Sequence, residues 1–217
     1  MQTEPPNAAP PKRKRRWFQF SLRTLMIGVV IVAIACGWIG RKIERKHQER
    51  DAVEELRKKG ATVFYDFNRV SKGSPPGPDW VRKLLGENYF SEVEWVIEPG
   101  NLADDDLKIV SRLTQLKSLR LYSAKITDAG LVNLSHLTEL QELYLVQAAI
   151  TNSGLENLKG LTQLRSLWLY GTNVSDAGLV NLRGLSQLKY LSLVFTKVSD
   201  NGIEELQKAL PSCKIEH

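Results

Sequence analysis

The sequence is short of the side chains that carry most protein chemistry. It holds two cysteines and three histidines in 217 residues. Cys36 sits in an apolar run and Cys213 lies close to the C-terminus, so a bridge between them is not expected. Neither belongs to a metal-ligand spacing, and the pair does not report a redox compartment. His47, His136 and His217 are scattered among different elements. No H-E-x-x-H, G-x-S-x-G or glycine-rich phosphate loop is present. No catalytic residue, cofactor or metal is therefore expected, and the chain is read as a non-enzyme. The acidic run Asp104–Asp106 is read as a helix start, where acids are favoured, and not as a cation site.

A basic surface is also missing where nucleic acid would need it. The formal net charge is +6 and the pI about 9.3. Residues 1–60 hold 14 Lys/Arg against 6 Asp/Glu, and the remainder holds 16 against 18. The excess belongs to the N-terminal segment, which leaves no phosphate-binding footprint elsewhere, so no nucleic-acid partner is expected.

What is there begins with a hydrophobic run. Residues 1–21 read as a disordered, basic tail, Pro-rich at its start. From Leu22 to Gly40 the only charge is Arg23. A helix of that length spans about 28 Å, close to the roughly 30 Å of a hydrocarbon core. Arg23 is near enough to the edge to snorkel. Trp17, Phe18, Phe20 and Trp38 suit the two interfacial belts. Residues 22–40 are expected to cross a membrane once. A buried core helix fits poorly, because the run is apolar all round with basic flanks. A cleaved signal is the rival: Ala33 and Ala35 precede Cys36 in an A-x-A-like arrangement, "AIAC" loosely resembles a lipobox and "RRWF" a twin-arginine signal. Against cleavage, the run continues through Trp38 and Ile39. Basic residues flank both ends: Lys12 to Arg16 before the run, Arg41, Lys42, Arg45, Lys46 and Arg50 after it. The denser N-flank favours the N-terminus inside and the C-terminal domain outside. Ala33 and Gly37 make a small-xxx-small pair, a spacing that chance also produces.

Residues 41–78 read as a juxtamembrane helix, a strand and a loop. Gly60 is placed to cap the helix, "ATVFYDF" from Ala61 is strand-like, and "NRVSKGSPPGP" is a loop. A short helix, "DWVRKLLG", opens the region 79–217.

From Leu116 the chain repeats itself every 24 residues. "LRLYSAKITDAGLVNL" is followed by "LYLVQAAITNSGLENL", "LWLYGTNVSDAGLVNL" and "LSLVFTKVSDNGIEEL". With Leu116, Leu140, Leu164 and Leu188 as position 1, leucines recur at positions 4 and 6, Ile or Val at 11, and Leu or Ile at 16 and 19. The spacing of two reads as a strand and the spacing of three as a helical segment. A divergent first copy over Glu92–Gln115 would place Trp95 and Ile97 at positions 4 and 6, with Leu102, Leu107 and Val110 following. Asp104, Asp128, Asn152, Asp176 and Asp200 are read as helix N-caps. The glycines two residues later (Gly130, Gly154, Gly178, Gly202) would let that start pack against the next coil. One unit cannot bury its leucines alone, so stacked units must form a continuous core.

The pattern LxxLxL…[IV][TS][DN]xGLxxL resembles the leucine-rich repeat family, in its short bacterial and ribonuclease-inhibitor-like forms. The fold class that follows is α/β: a solenoid of about 4–5 repeats of 24 residues, preceded by a single transmembrane helix. The layout with "QFSLRTLM" is similar to bacterial membrane-anchored leucine-rich-repeat proteins, which implies a single-pass protein of a bacterial inner membrane with no defined activity. Family members often carry Thr at position 9; Thr172 and Thr196 keep it, Ala124 and Ala148 do not. "LPSCKI" is similar to a closing half-repeat, with Cys213 and Ile215 covering the last turn. Leu84, Leu85, Tyr89 and Phe90 are expected to cover the first.

Strand positions 3, 5 and 7 point away from the core. In this family they line the concave face. The candidate binding residues are Arg120, Tyr122, Glu142, Tyr144, Trp168, Tyr170 and Tyr190, with Ser118, Val146, Ser166, Ser192 and Val194 among them. Tyr, Trp and Arg dominate binding hot spots, which points to a protein or peptide partner. The bland alternative is that aromatics simply suit strands. A sugar stacking on the rings is a weaker alternative. The resemblance also admits an intracellular substrate receptor like those of ubiquitin ligases, although no F-box-like segment is present, or a structural envelope protein that self-associates into a homo-oligomer.

Overall fold

The computed structural model describes residues 22–66, 77–85, 91–98, 100–122 and 125–217. The basic tail, Trp17, Phe18, Phe20, Tyr89, Phe90 and Ala124 lie outside them, as do the side chains of Arg23, Leu84 and Leu85. The chain forms two units, residues Met1–Glu44 and Arg45–His217.

Helix α1 is assigned to Leu22–Lys58. Within the first unit it exposes Leu25, Met26, Ile27, Val29, Val30, Ile31, Val32, Ile34 and Trp38 on all sides. It is long and apolar enough to cross a membrane by length and composition. The helix ends as its glycine demands. Gly60 takes φ +91°, its N–H donates to Arg57 O at 3.0 Å, and Ala61 N–H donates to Leu56 O at 3.0 Å. That paired arrangement satisfies the last carbonyls.

The second unit is built on a seven-stranded sheet in sequence order. β1 (Thr62–Tyr65) pairs antiparallel with β2 (Val93–Glu98), preceded by the short helix α2 (Asp79–Leu85). All later pairings are parallel: β3 (Ser118–Tyr122), β4 (Glu142–Val146), β5 (Ser166–Trp168), β6 (Tyr190–Ser192) and β7 (Lys214–Glu216). Each coil returns through short helical pieces: α3 (Leu107–Val110), α4 (Asp128–Leu131), a 3-10 turn over Gly154–Leu158, α5 (Asp176–Leu179) and α6 (Asp200–Ala209). Leu119, Leu143, Leu167, Leu191 and Ile215 stand in register, one per coil. Every leucine at positions 1, 4, 6, 16 and 19 from Leu116 to Leu193 is at most 3% exposed, so one core runs through all the coils. This is an α/β solenoid whose coils bury leucine at recurring positions. Cys213 is buried and Ile215 packs on the core at the closing end.

Three expectations change. First, the N-terminal end of the core is covered by Ala52, Val53 and Leu56 of α1 and by Ala61, Val63 and Tyr65 around β1. Residues 45–65 therefore share the core with the repeats, where the sequence reading had set 41–78 apart from a repeat domain beginning at 79. Lys46 ties this cap down: its ammonium meets Glu49 at 3.0 Å and Glu92 at 2.8 Å and donates to Ser91 O at 2.5 Å.

Second, the strand of the first repeat is out of phase, while Leu102, Leu107 and Val110 are buried at the positions expected of them. Val96 pairs with Leu119 and Glu98 with Leu121, a step of 23 residues and not 24. Val96 and Glu98 point into the core, fully buried, and Trp95 and Ile97 face outward. The period alone placed Trp95 inside, because the true phase puts a carboxylate in a leucine's place. Glu98 is tolerated there because its Oε1 accepts the N–H groups of Gly100, at 2.7 Å, and Asn101.

Third, the recurring Asp is the first helical residue and not the cap. Thr127, Ser175 and Ser199 occupy the cap position, and Thr127 and Ser199 accept from the amides of Ala129 and Gly202. The Asp side chains reach across to the next coil instead. Asp104 takes Thr127 N–H (2.8 Å) and hydroxyl (2.6 Å), Asp128 takes those of Thr151 (2.8 and 2.5 Å), and Asp176 those of Ser199 (2.8 and 2.7 Å). Asn152 does the same for Ser175, accepting its N–H at 2.9 Å and donating to its hydroxyl at 2.9 Å. A Cβ on Gly130, Gly154, Gly178 or Gly202 would lie 2.2–2.5 Å from one of these oxygens, so the glycines are the space the rungs occupy.

Candidate functional site

The outward strand positions gather into one surface because the parallel register holds them level. Coils about 4.8 Å apart bring side chains at the same position into stacking range. Tyr144 and Trp168 stack with centroids 5.2 Å apart and planes 12° from parallel, and Trp168 meets Tyr190 at 4.7 Å. On the other side of Tyr144 lies the Arg120 guanidinium, 4.6 Å from that ring and 5.1 Å from the ring of Trp95. Beyond Tyr190 comes the Lys214 ammonium at 5.9 Å. The result is one column, Trp95–Arg120–Tyr144–Trp168–Tyr190–Lys214, across six strands.

Six of the seven candidate residues are partly buried, and Tyr122, at the end of β3, is 42% exposed. Glu142 is not a free acid: it meets Arg120 at 3.4 Å and accepts the Ser118 hydroxyl at 3.0 Å. Ser118 and Ser192 are on the predicted face but only 1% exposed, since larger neighbours cover them. Tyr170 lies just past β5, outside the column, with its ring edge-on to Phe195 at 5.1 Å. The faces of Trp168 are taken by Tyr144 and Tyr190, so a sugar could stack on it only by opening the column. What the column offers a partner is ring edges, which carry the positive end of the aromatic quadrupole.

Burial, then the Tyr190–Glu216 hydrogen bond, pushes the Tyr190 phenol up to about 12. Burial also raises Tyr144. Hydrogen bonds from Lys214 and Tyr190 hold Glu216 below its ordinary value. Burial pushes the Cys213 thiol up to about 11, so it stays protonated at neutral pH. The three acids at Asp104–Asp106 each have a partner of their own: Thr127, Lys108 at 2.7 Å, and Lys59 at 2.9 Å.

Three residues of this surface escaped the sequence reading, one of them Lys214, in the strand past the last full repeat. Trp95 was lost to the one-residue phase slip. Phe195, at position 8, is 74% exposed with φ +58°. Its signal was Gly171 at the same position one coil earlier, with φ +67°, which marks a left-handed site; Gln147 occupies the equivalent site at φ +55°. A bulky residue there is a backbone outlier. At position 9, Thr172 and Thr196 donate their hydroxyls to Leu169 O (2.7 Å) and Leu193 O (2.6 Å), closing the turn that Ala148 leaves without this bond.

No protein-family model matches this chain, and no curated relative does. Solved structures similar over about half of it are bacterial leucine-rich-repeat proteins. An internalin C2 from Listeria monocytogenes is 33% identical, with 50% of this chain and 44% of that one covered and a TM-score of 0.41. An internalin (inlF) from the same organism is 23% identical, covering 50% and 36%, with a TM-score of 0.37. A leucine-rich-repeat protein of Leptospira interrogans is 24% identical, covering 51% and 33%, with a TM-score of 0.37. The chain spans less than half the length of each.

Proposed function

We propose that this chain is a single-pass membrane protein whose repeat domain binds a protein or peptide partner on its concave face. The observation that carries the binding half is the unbroken column from Trp95 to Tyr190, with Tyr170 and the strained, exposed Phe195 beside it. Large aromatics and an Arg gathered on one surface supply the contact area and rigidity that hot spots need. The turn imposes a positive φ at this position in the coils of Gln147, Gly171 and Phe195, so an exposed Phe where the preceding coil has Gly runs against backbone preference, as a contact residue would. The anchor rests on the apolar run of residues 22–40 with its basic flanks, and the orientation is N-terminus inside with repeats outside.

Pull-down from envelope extracts with the wild-type chain, Trp168→Ala and Tyr144→Ala tests the binding surface. Loss of a captured partner with the melting transition retained supports it. Unchanged capture by both variants makes the column packing alone. Protease treatment of a C-terminal tag, in cells with the outer barrier opened, tests the topology. Digestion without lysis fits repeats outside, protection until detergent is added places them in the cytoplasm, and a soluble, membrane-free tag revives the cleaved signal.

A further inference from the structure

The charges bordering the column carry the partner's chemistry one step further, a step that rests on the concave face being the binding surface. Strands β2 to β7 hold four acids, and each is already engaged. Glu98 is fully buried, Glu94 meets Lys117 at 3.2 Å, Glu142 meets Arg120, and Glu216 meets Lys214 at 2.9 Å. The turns leading into β3 to β6 carry a single acid, Glu139. The cations are less fully spent. Arg165 and Lys189 directly precede β5 and β6, are exposed, and make no ion pair among the described residues. At the opposite end of the same strands Lys197, two residues beyond Phe195, is likewise exposed and unpaired among the described residues. Of the acids of these coils, Glu204 and Glu205 belong to the helical side, Asp176 is held by the N–H and hydroxyl of Ser199, and Asp200 meets His217 at 3.1 Å. A domain with no net basic charge thus carries three exposed cations, without an ion pair among the described residues, in the segments flanking β5 and β6.

We propose that the C-terminal half of the concave face binds an extended, acidic segment of a protein partner, with its carboxylates towards Arg165, Lys189 and Lys197. Like-signed charge at both ends of the strands selects against a basic segment and steers an acidic one. The ring edges between them favour carboxylate and carbonyl oxygens for the same electrostatic reason.

The test uses the full chain in detergent micelles and a fluorescent, photoreactive decaglutamate, compared with decalysine and a Gly-Ser decamer. The expected result is at least tenfold preference for decaglutamate over Gly-Ser, weakening several-fold as salt rises from about 50 to 200 mM. Photo-adducts should fall within residues 165–197. Arg165→Glu with Lys189→Glu should lose binding at least tenfold, and the milder Arg165→Gln with Lys189→Gln several-fold, with unchanged melting. Equal binding of Gly-Ser that Trp168→Ala abolishes overturns the acidic partner and leaves the concave-face reading standing. Decaglutamate binding that ignores both charge variants, or adducts confined to the basic residues 12–16 and 41–50, overturns it. So do equal displacement by inorganic polyphosphate, which signals a general polyanion site, and the absence of peptide binding. The concave-face reading itself fails separately, in the pull-down with Trp168→Ala and Tyr144→Ala.

Discussion

Gln147 is a polar, exposed residue held at φ +55° where the next coil uses Gly171. The left-handed region costs a non-glycine residue about 1–2 kcal/mol, and glycine returns about 0.5–1 kcal/mol of that as chain entropy. Gln147→Gly is expected to stabilise the domain by up to about 1 kcal/mol, read as a higher urea midpoint with an unchanged slope. Phe195→Gly relieves the same strain but loses the edge-on contact to Tyr170, worth about 0.5–1.5 kcal/mol, so its stability should barely move while partner capture weakens. Cys213 and Tyr190 carry a pH signature. The folded state holds their protons up to about 11 and about 12, against ordinary values of 9.0 and 10.0. Above pH 9 the unfolded chain releases protons the folded chain keeps, so the stability they contribute is complete below that pH and is lost as pH rises through 11 and 12. Urea midpoints measured from pH 8 to 11.5 should fall, and Tyr190→Phe should flatten the upper part of the fall. At pH 8 the Cys213 thiol should resist iodoacetamide until the domain is unfolded.

At the scale of the element, the row of Asp and Asn rungs joins neighbouring coils outside the leucine core. Removing Asp128 leaves Thr151 N–H and hydroxyl without their acceptor; at an exposed site this should cost about 1–2 kcal/mol. Gly154→Ala drives a methyl group to 2.2 Å from Asp128 Oδ1, and overpacking of that kind costs about 1–3 kcal/mol. The two effects share one atom, so they should not add. A double-mutant cycle is expected to show the cost of Gly154→Ala at least halved in the Asp128→Ala background. Additive losses would mean that the glycine is kept for its backbone and not for the rung. Asp176 adds an acid limit: the Ser199 hydroxyl and N–H hold its carboxyl below the ordinary value, so its contribution disappears as pH falls through that lowered pKa.

At the scale of the molecule, a solenoid is only as stable as its ends, because an end coil without cover exposes its leucines. The C-terminal end closes on Cys213 and Ile215, the N-terminal end on Leu56, Val53 and Val63. A chain starting at Arg45 is expected to keep the fold. One starting at Asp79 should melt about 10 °C lower or fail to fold, since uncovering several apolar side chains costs several kcal/mol and each kcal/mol moves a domain of this size by about 2–4 °C. Circular dichroism melts of the two truncations check this; equal melting would make the repeats self-sufficient.

Periodicity alone specifies the solenoid, its 24-residue coil and which leucines fill the core, because a buried position states its requirement in the residue's own chemistry and repeats it four times over. It also placed Arg120, Tyr122, Glu142, Tyr144, Trp168 and Tyr190 on outward strand positions, since alternation along a strand is a local property, whereas Tyr170 falls just past the end of its strand. What depends on distance between coils is settled only once the coils are stacked. Asp128 looks like a cap in one dimension and becomes a rung only when Thr151 is brought beside it. Trp95 joined the outward column because two amides, Gly100 and Asn101, make a home for Glu98 in the core. A strand's phase is set by the net free energy of both its faces, and the hydrogen bonds that tip that balance are made by residues whose proximity no periodicity records.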